Sequence, residues 1–308
     1  MSYYPIIIIP DRLKKLKSAL PKVPKFQEIQ PRSPKAPKPL NMRLMITEFI
    51  VILVLSRGLI LEPPIAIGFL IFGLIAIAIQ ALILKNTYPS RLQKYEQALR
   101  DYQPKLEVYD RLKAEHDQEV QRLTSPEQIT EFRQRQLLDI LRATKLNDGN
   151  NSKARRGMCE AKFAKHLKRY FEQNIYERLT LSIPDFDKPY SPDFAYIDRG
   201  LNLYIDIEID EPYTNSKPIH FVGADDRRNQ FFSQRGWIII RFCEEQVVRY
   251  PRQCCKAIAE VIADILGDRL ELTRFESTPD LPKIKHWSRG EAILMIKNQA
   301  RDRYLKSP

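Results

Sequence analysis

At 308 residues the chain has room for two ordinary domains, and 50 lysines and arginines against 38 acids leave it a formal net charge of +12. That surplus points to polyanionic partners, either nucleic acid or anionic lipid. Its four cysteines (Cys159, Cys243, Cys254, Cys255) lack the CxxC spacing of a zinc site, and adjacent Cys254 and Cys255 do not easily bridge; reduced thiols are expected.

In chain order, residues 1–41 form a basic, proline-rich stretch with prolines at 21, 24, 31, 34, 37 and 39. This spacing prevents regular structure and predicts an extended, polyproline-like tail, either touching an anionic surface or simply solvated. The apolar piece 6–9 is far too short for a signal peptide.

Residues 42–85 read as a transmembrane helical hairpin. The stretch 64–84 is apolar apart from Gln80, long enough to cross about 30 Å of hydrocarbon. The stretch 42–61 is nearly as long but carries Glu48 and Arg57, which lie on opposite helix faces; Arg57 can snorkel near the Glu62-Pro63-Pro64 turn. Basic residues crowd both outer flanks (Arg43; Lys85, Arg91, Lys94) and the turn has none, so the positive-inside rule gives two spans with both termini cytoplasmic. The lipid contact is then residues 42–85, and the competing reading is a buried soluble hairpin.

Residues 86–150 read as a helical connector. Tyr95, Leu99, Tyr102, Leu106 and Tyr109 recur at heptad-like spacing, continued by Leu112, His116, Val120 and Leu123. The stripe serves either an intramolecular stalk or a homodimeric coiled coil through 95–123. Pro104 predicts a kink or two helices. Ser125-Pro126-Glu127-Gln128 opens a further helix, and Asp148-Gly149-Asn150-Asn151 marks a domain boundary.

Residues 151–268 carry the chemistry. A helix over 153–174 places Glu160 on one stripe with Phe163, Ala164, Leu167 and Phe171, and leaves a basic opposite face of Arg155, Lys162, Lys165, Lys168 and Arg169. Glu160 is either a site carboxylate or an edge acid paired with Lys153, Arg156 or Arg169. A first strand is expected over 179–183. Asp193 starts a short strand after Pro192, and the Asp198-Arg199-Gly200 turn returns the chain so that Asp193 approaches Glu208. In the strand 203–210, Ile205, Ile207 and Ile209 face one way while Asp206, Glu208 and Asp210 face the other. Three acids on one face of a core strand are costly unless a cation or donor neutralises them. A divalent ion is the usual answer, and oxygen ligands suit magnesium or manganese. A loop with Lys217 and His220 follows, then a basic helix over 225–234, Gly236, a strand over 237–242 and an amphipathic helix over 251–266. Residues 269–308 add a helical extension ending in a helix over 289–304, free to dock on this unit or on a partner.

Pro192-Asp193, then Glu208-Ile209-Asp210 on a strand, then Asp225-Asp226-Arg227-Arg228 and Gly236-Trp237-Ile238-Ile239-Ile240-Arg241-Phe242, resemble the PD-(D/E)XK nuclease superfamily, closest to its very-short-patch-repair branch. The likeness covers 155–266. It implies an α/β fold, a restriction-endonuclease-like mixed sheet flanked by helices, and a magnesium- or manganese-dependent endonuclease hydrolysing DNA phosphodiesters at the cytoplasmic membrane face. Asp193 and Glu208, with the Ile209 carbonyl, would hold one ion, and Glu160 and Asp210 would complete its shell or hold a second. Asp210 stands where the superfamily's lysine belongs, Arg228 or Lys217 would balance charge on the phosphate, and His220 resembles a histidine able to act as base or hold a water. The competing readings are a catalytically inactive nucleic-acid-binding module and a membrane adaptor.

Overall fold

The computed structural model describes residues 2–39, 41–58, 63–184 and 186–306. They divide into two compact units, Met1–Pro21 with Ser125–Pro308, and Lys22–Thr124.

The first unit is α/β. It starts with β1 (Tyr3–Tyr4), β2 (Ile6–Ile8) and α1 (Asp11–Leu16). The chain re-enters it after α2 (Met42–Gly58) and α3 (Pro63–Leu123) of the second unit, at α4 (Pro126–Arg142). Next come α5 (Glu160–Phe171), β3 (Ile175–Tyr176), the separate hairpin β4 (Leu181–Ile183) and β5 (Phe186–Tyr190), then β6 (Phe194–Asp198) and β7 (Leu203–Asp210). A small hairpin, β8 (Tyr213–Thr214) and β9 (Lys217–Pro218), leads to α6 (Asp226–Gln234), β10 (Ile238–Cys243), α7 (Glu244–Arg249) and α8 (Pro251–Leu266). The C-terminal part adds β11 (Ile284–Lys285), α9 (Arg289–Lys297) and α10 (Asp302–Leu305).

Five strands form one mixed sheet in the order β2-β10-β7-β6-β3. The β6–β7 pair is antiparallel, joined through the expected turn, where Asp198 Oδ1 accepts from Leu201 N at 3.0 Å. β10 lies parallel to β7, which requires the crossover that α6 supplies. The alternation along β7 is realised in full. Ile205, Ile207 and Ile209 join Phe163, Leu167, Ile258 and Ile262 in a core under α5 and α8. The opposite face packs Tyr204 with Ile239, Trp237 and Phe232 beneath α6. Gly236 allows the sharp passage from α6 into β10: its φ is +89°, and a Cβ there would meet Thr144 Oγ1 at 2.8 Å.

The N-terminal residues correct the expected tail. Residues 6–8 form the sheet's edge strand, antiparallel to β10, and β1 pairs with β11. The four-isoleucine run that is too short for a signal is long enough to cover an exposed strand edge. Tyr4 is fully buried and donates its hydroxyl to Asp210 Oδ2 at 3.0 Å. Tyr4→Phe is expected to cost about 1.5–3 kcal/mol, the value of a hydrogen bond to a charged group, read as a lower urea midpoint at unchanged slope.

Two boundaries also shift. The helix opened by Ser125, whose Oγ accepts from Gln128 N at 3.3 Å, belongs to the α/β unit and not to the connector. Asn202 Nδ2 reaches the Leu141 carbonyl at 2.7 Å and Trp237 Nε1 the Lys145 carbonyl at 2.7 Å, tying the α4 end to the sheet. The C-terminal extension docks on the same unit: Arg301 forms a two-pronged pair with buried Glu244 (2.6 and 2.7 Å), and Tyr304 donates to it at 2.8 Å. β3, which begins four residues before the expected first strand, is the sheet member; among the described residues 181–183 pairs with β5 and not with the main sheet. All four cysteines are buried and unpaired.

In the second unit α3 is a single helix of 61 residues through Pro89 and Pro104, about 90 Å at 1.5 Å per residue. Each proline removes one hydrogen bond among dozens and does not split the rod. Its N-terminal part is long and apolar enough to cross a membrane, with mean hydropathy 2.7 and none of that window buried. α2 lies against it, with Ile52 in contact at Gly73. Of the expected Glu62-Pro63-Pro64 turn, Glu62 lies outside the described residues and Pro63 and Pro64 open α3. Along the connector stripe Tyr102, Leu106, Tyr109, Leu112, His116 and Val120 are half-buried. The proline-rich segment covers part of that stripe: Phe26 packs on Tyr109 and His116, and a His116 ring nitrogen meets the Pro24 carbonyl at 3.0 Å.

Candidate functional site

Asp193 sits one residue before β6, so the β6–β7 register sets it beside Glu208. Its Oδ2 accepts from Ile209 N at 2.8 Å. In a strand the N–H and C=O of one residue point to the same edge, so the Ile209 carbonyl also faces the Asp193 side. Glu160 joins them from the first turn of α5, where the helix is shorter than expected and 153–159 is a loop. The predicted stripe is otherwise intact, with Glu160, Phe163, Ala164, Leu167 and Phe171 all buried. Glu160 accepts from Gly157 N and lies 3.4 Å from Arg156 Nε.

The three carboxylates feel one another. Burial first, then Glu208 and Glu160, push Asp193 well above the usual carboxylate range. Burial likewise raises Glu160, with a contribution from Glu208. Glu208 goes the other way: burial opposes ionisation, but Arg228 and Arg241 outweigh it and lower the pKa. Asp206 is fully enclosed, and neither oxygen meets a donor from elsewhere. Burial, then Glu208, push its pKa well above the usual carboxylate range. A small cleft opens beside Asp193 and Glu160, with about 20 Å³ of free space, room for one water-sized or cation-sized body.

Three other candidates take different places. Asp210 does not join this cluster. Arg241, its neighbour on β10, grips it with Nε at 2.9 Å and Nη2 at 2.5 Å. The acid standing at the lysine position is thus half of a buried ion pair, set by the parallel register Asp210↔Cys243 and Glu208↔Arg241. Asp210, His220 and Asp225 come close enough together to hold a metal ion. Arg241 occupies that space, 2.5 Å from Asp210, 3.2 Å from Asp225 and 3.3 Å from His220, and supplies the positive charge itself.

His220 lies between Asp225 and Asp210, 2.9 Å and 3.5 Å from their carboxylates. Burial alone would lower its pKa, but the 2.9 Å contact with Asp225 and the charge of Asp210 raise it to about 9. At neutral pH it is a cation. Because the folded value lies above the ordinary 6.5, its stabilising contribution is complete below about pH 6.5 and fades as pH rises through about 9. Unfolding midpoints of wild type and His220→Gln should therefore converge on going from pH 6 to beyond pH 9.

Arg228 points inward instead of into the cleft. Its Nη2 reaches Glu208 Oε1 at 2.5 Å and the Ser191 carbonyl at 2.7 Å, and its guanidinium lies 5.2 Å from the Tyr190 ring. It neutralises Glu208 and fastens β7 to the segment before Asp193. Lys217 is exposed on the β8–β9 hairpin. Sequence reasoning missed Arg241, although its alternation on a strand parallel to β7 was a usable signal, and it missed Arg178, which lines the cleft.

No family model, curated protein or solved structure matches this chain.

Proposed function

We propose that the α/β unit is a divalent-metal-dependent phosphodiesterase that hydrolyses DNA and is held at a membrane by the apolar helices. The observation that carries this reading is that Asp193 and Glu160, from a strand start and a helix start, line one cation-sized opening, with the Glu208 carboxylate near enough to raise the pKa of both. Asp193 and Glu160, both raised by burial and by Glu208, are short of positive charge, and oxygen donors of this kind fit magnesium or manganese. A bound ion would supply a nucleophilic water and charge stabilisation for the leaving oxygen. The protein's own part is positional. Asp193 and Glu208, with the Ile209 carbonyl, would hold the ion, and Glu160 would complete the set or orient water. Arg228 fixes the Glu208 carboxylate. The mixed sheet with helices on both faces agrees with the coarse architecture that the nuclease resemblance implies.

The membrane reading rests on α3 and extends to α2. The 17 residues of α2 give about 26 Å, close to the roughly 30 Å of a bilayer core. A two-span hairpin with both flanks cytoplasmic is the orientation the basic flanks favour. Cysteine accessibility at Asn41 and Lys85 in sealed vesicles tests it; labelling on opposite sides overturns the hairpin.

One observation favours a second reading, a nuclease-like module that binds nucleic acid without cleaving it. Two of the three β7 acids are already compensated, Glu208 by Arg228 and Asp210 by Arg241. Full-length protein in detergent, incubated with single- and double-stranded DNA and manganese, separates the two. Cleavage that disappears with Asp193→Asn supports hydrolysis, and binding without cleavage supports the module.

A further inference from the structure

We propose that Arg155 and Arg178 form a phosphate-binding rim over the acidic cleft and grip the DNA backbone there, supplying the positive charge that neither Asp210 nor Arg228 offers to a substrate. This deepens the reading just given and rests on it for the identity of the polyanion.

The rim is assembled by backbone contacts that no sequence pattern announces. Residues 147–152 run beside 178–182: Thr180 N donates to the Gly149 carbonyl at 2.7 Å, and Ser152 N to the Arg178 carbonyl at 3.0 Å. Arg178 itself has φ +61°, a left-handed conformation that non-glycine residues avoid and that surrounding structure must hold. The result sets Arg178, just after β3, and Arg155, in the loop before α5, around one cleft with Asp193 and Glu160.

Charge accounting singles these two out. Arg156 is engaged by Glu160 and Glu177, Lys168 by Glu177 at 2.5 Å, and Arg228 by Glu208. The Arg155 and Arg178 side chains are exposed and, among the described residues, have neither a carboxylate nor a carbonyl partner. A simple anion would be repelled by the acids below. A phosphodiester satisfies both layers at once, with oxygens shared between guanidinium groups above and a divalent ion on the acids. Guanidinium forks suit that two-oxygen geometry.

The test is binding of a short fluorescent DNA duplex, and of the matching single strand, to full-length protein in detergent across a salt series. All variants carry Asp193→Asn, so the probe is not consumed. Arg155→Gln/Arg178→Gln is expected to weaken binding by at least about tenfold and to reduce the salt slope by about two, one per lost phosphate contact. Arg252→Gln/Arg269→Gln, an equal charge loss at exposed positions elsewhere on the unit, is expected to bind like its parent. Unchanged affinity in the rim variant, equal weakening in the control, or no DNA binding by the parent overturns the proposal. The two readings fail separately. A wild type that binds through the rim but never hydrolyses DNA removes the hydrolase alone. Asp193-dependent cleavage with rim-independent binding removes the rim alone.

Discussion

Asp193→Asn and Glu208→Gln are each expected to lower magnesium- or manganese-dependent DNA hydrolysis by at least about 10²-fold, with the fold retained. Both substitutions keep size and remove one negative charge, so lost activity reports the charge. Asp193 already stands well above the usual carboxylate range through burial, Glu208 and Glu160, and neutralising it relieves repulsion in the metal-free protein. Asp193→Asn should therefore be at least as stable as wild type while being inactive. That combination distinguishes a functional acid from a structural one. Cleavage at the wild-type rate by either variant, at matched metal, would sink the assignment. Glu160→Gln should lose less, because Glu160 is shared with Gly157 N and Arg156.

The largest expected effect on stability lies on the neighbouring strand β10. Arg241→Met leaves Asp210 buried without its two-pronged partner, and removing one member of such a pair costs about 3–5 kcal/mol. Asp210→Asn should cost less than the arginine change, since an amide still accepts from Tyr4 and Arg241. The decisive readout is activity per folded molecule. Asp210→Asn that unfolds earlier yet cleaves normally confirms the ion-pair role assigned above. Loss of cleavage without loss of stability would return Asp210 to the metal site.

Much of this arrangement was legible from residue order alone. The alternation in Leu203–Asp210 specified a strand with isoleucines on one face and acids on the other, because a period of two admits only that division. The Glu160-Phe163-Ala164-Leu167-Phe171 stripe, the Gly236 break and the Pro251–Leu266 helix followed from periodicity and backbone freedom, which are local properties. The apolar run in α3 announced a membrane-length helix for the same reason.

What only the tertiary structure decided is which charge meets which. The sequence shows three acids on β7 and demands compensation. It does not say that the compensation is Arg228 for Glu208 and Arg241 for Asp210, because strand register and the α6 crossover make those pairs. Nor could it turn an isoleucine-rich N-terminus into the sheet's edge strand, or bring Arg178 beside Arg155. Local pattern follows from the covalent chain and its sterics. Partner choice among charges is set by distances between segments far apart in sequence, and those distances exist only once the sheet has closed.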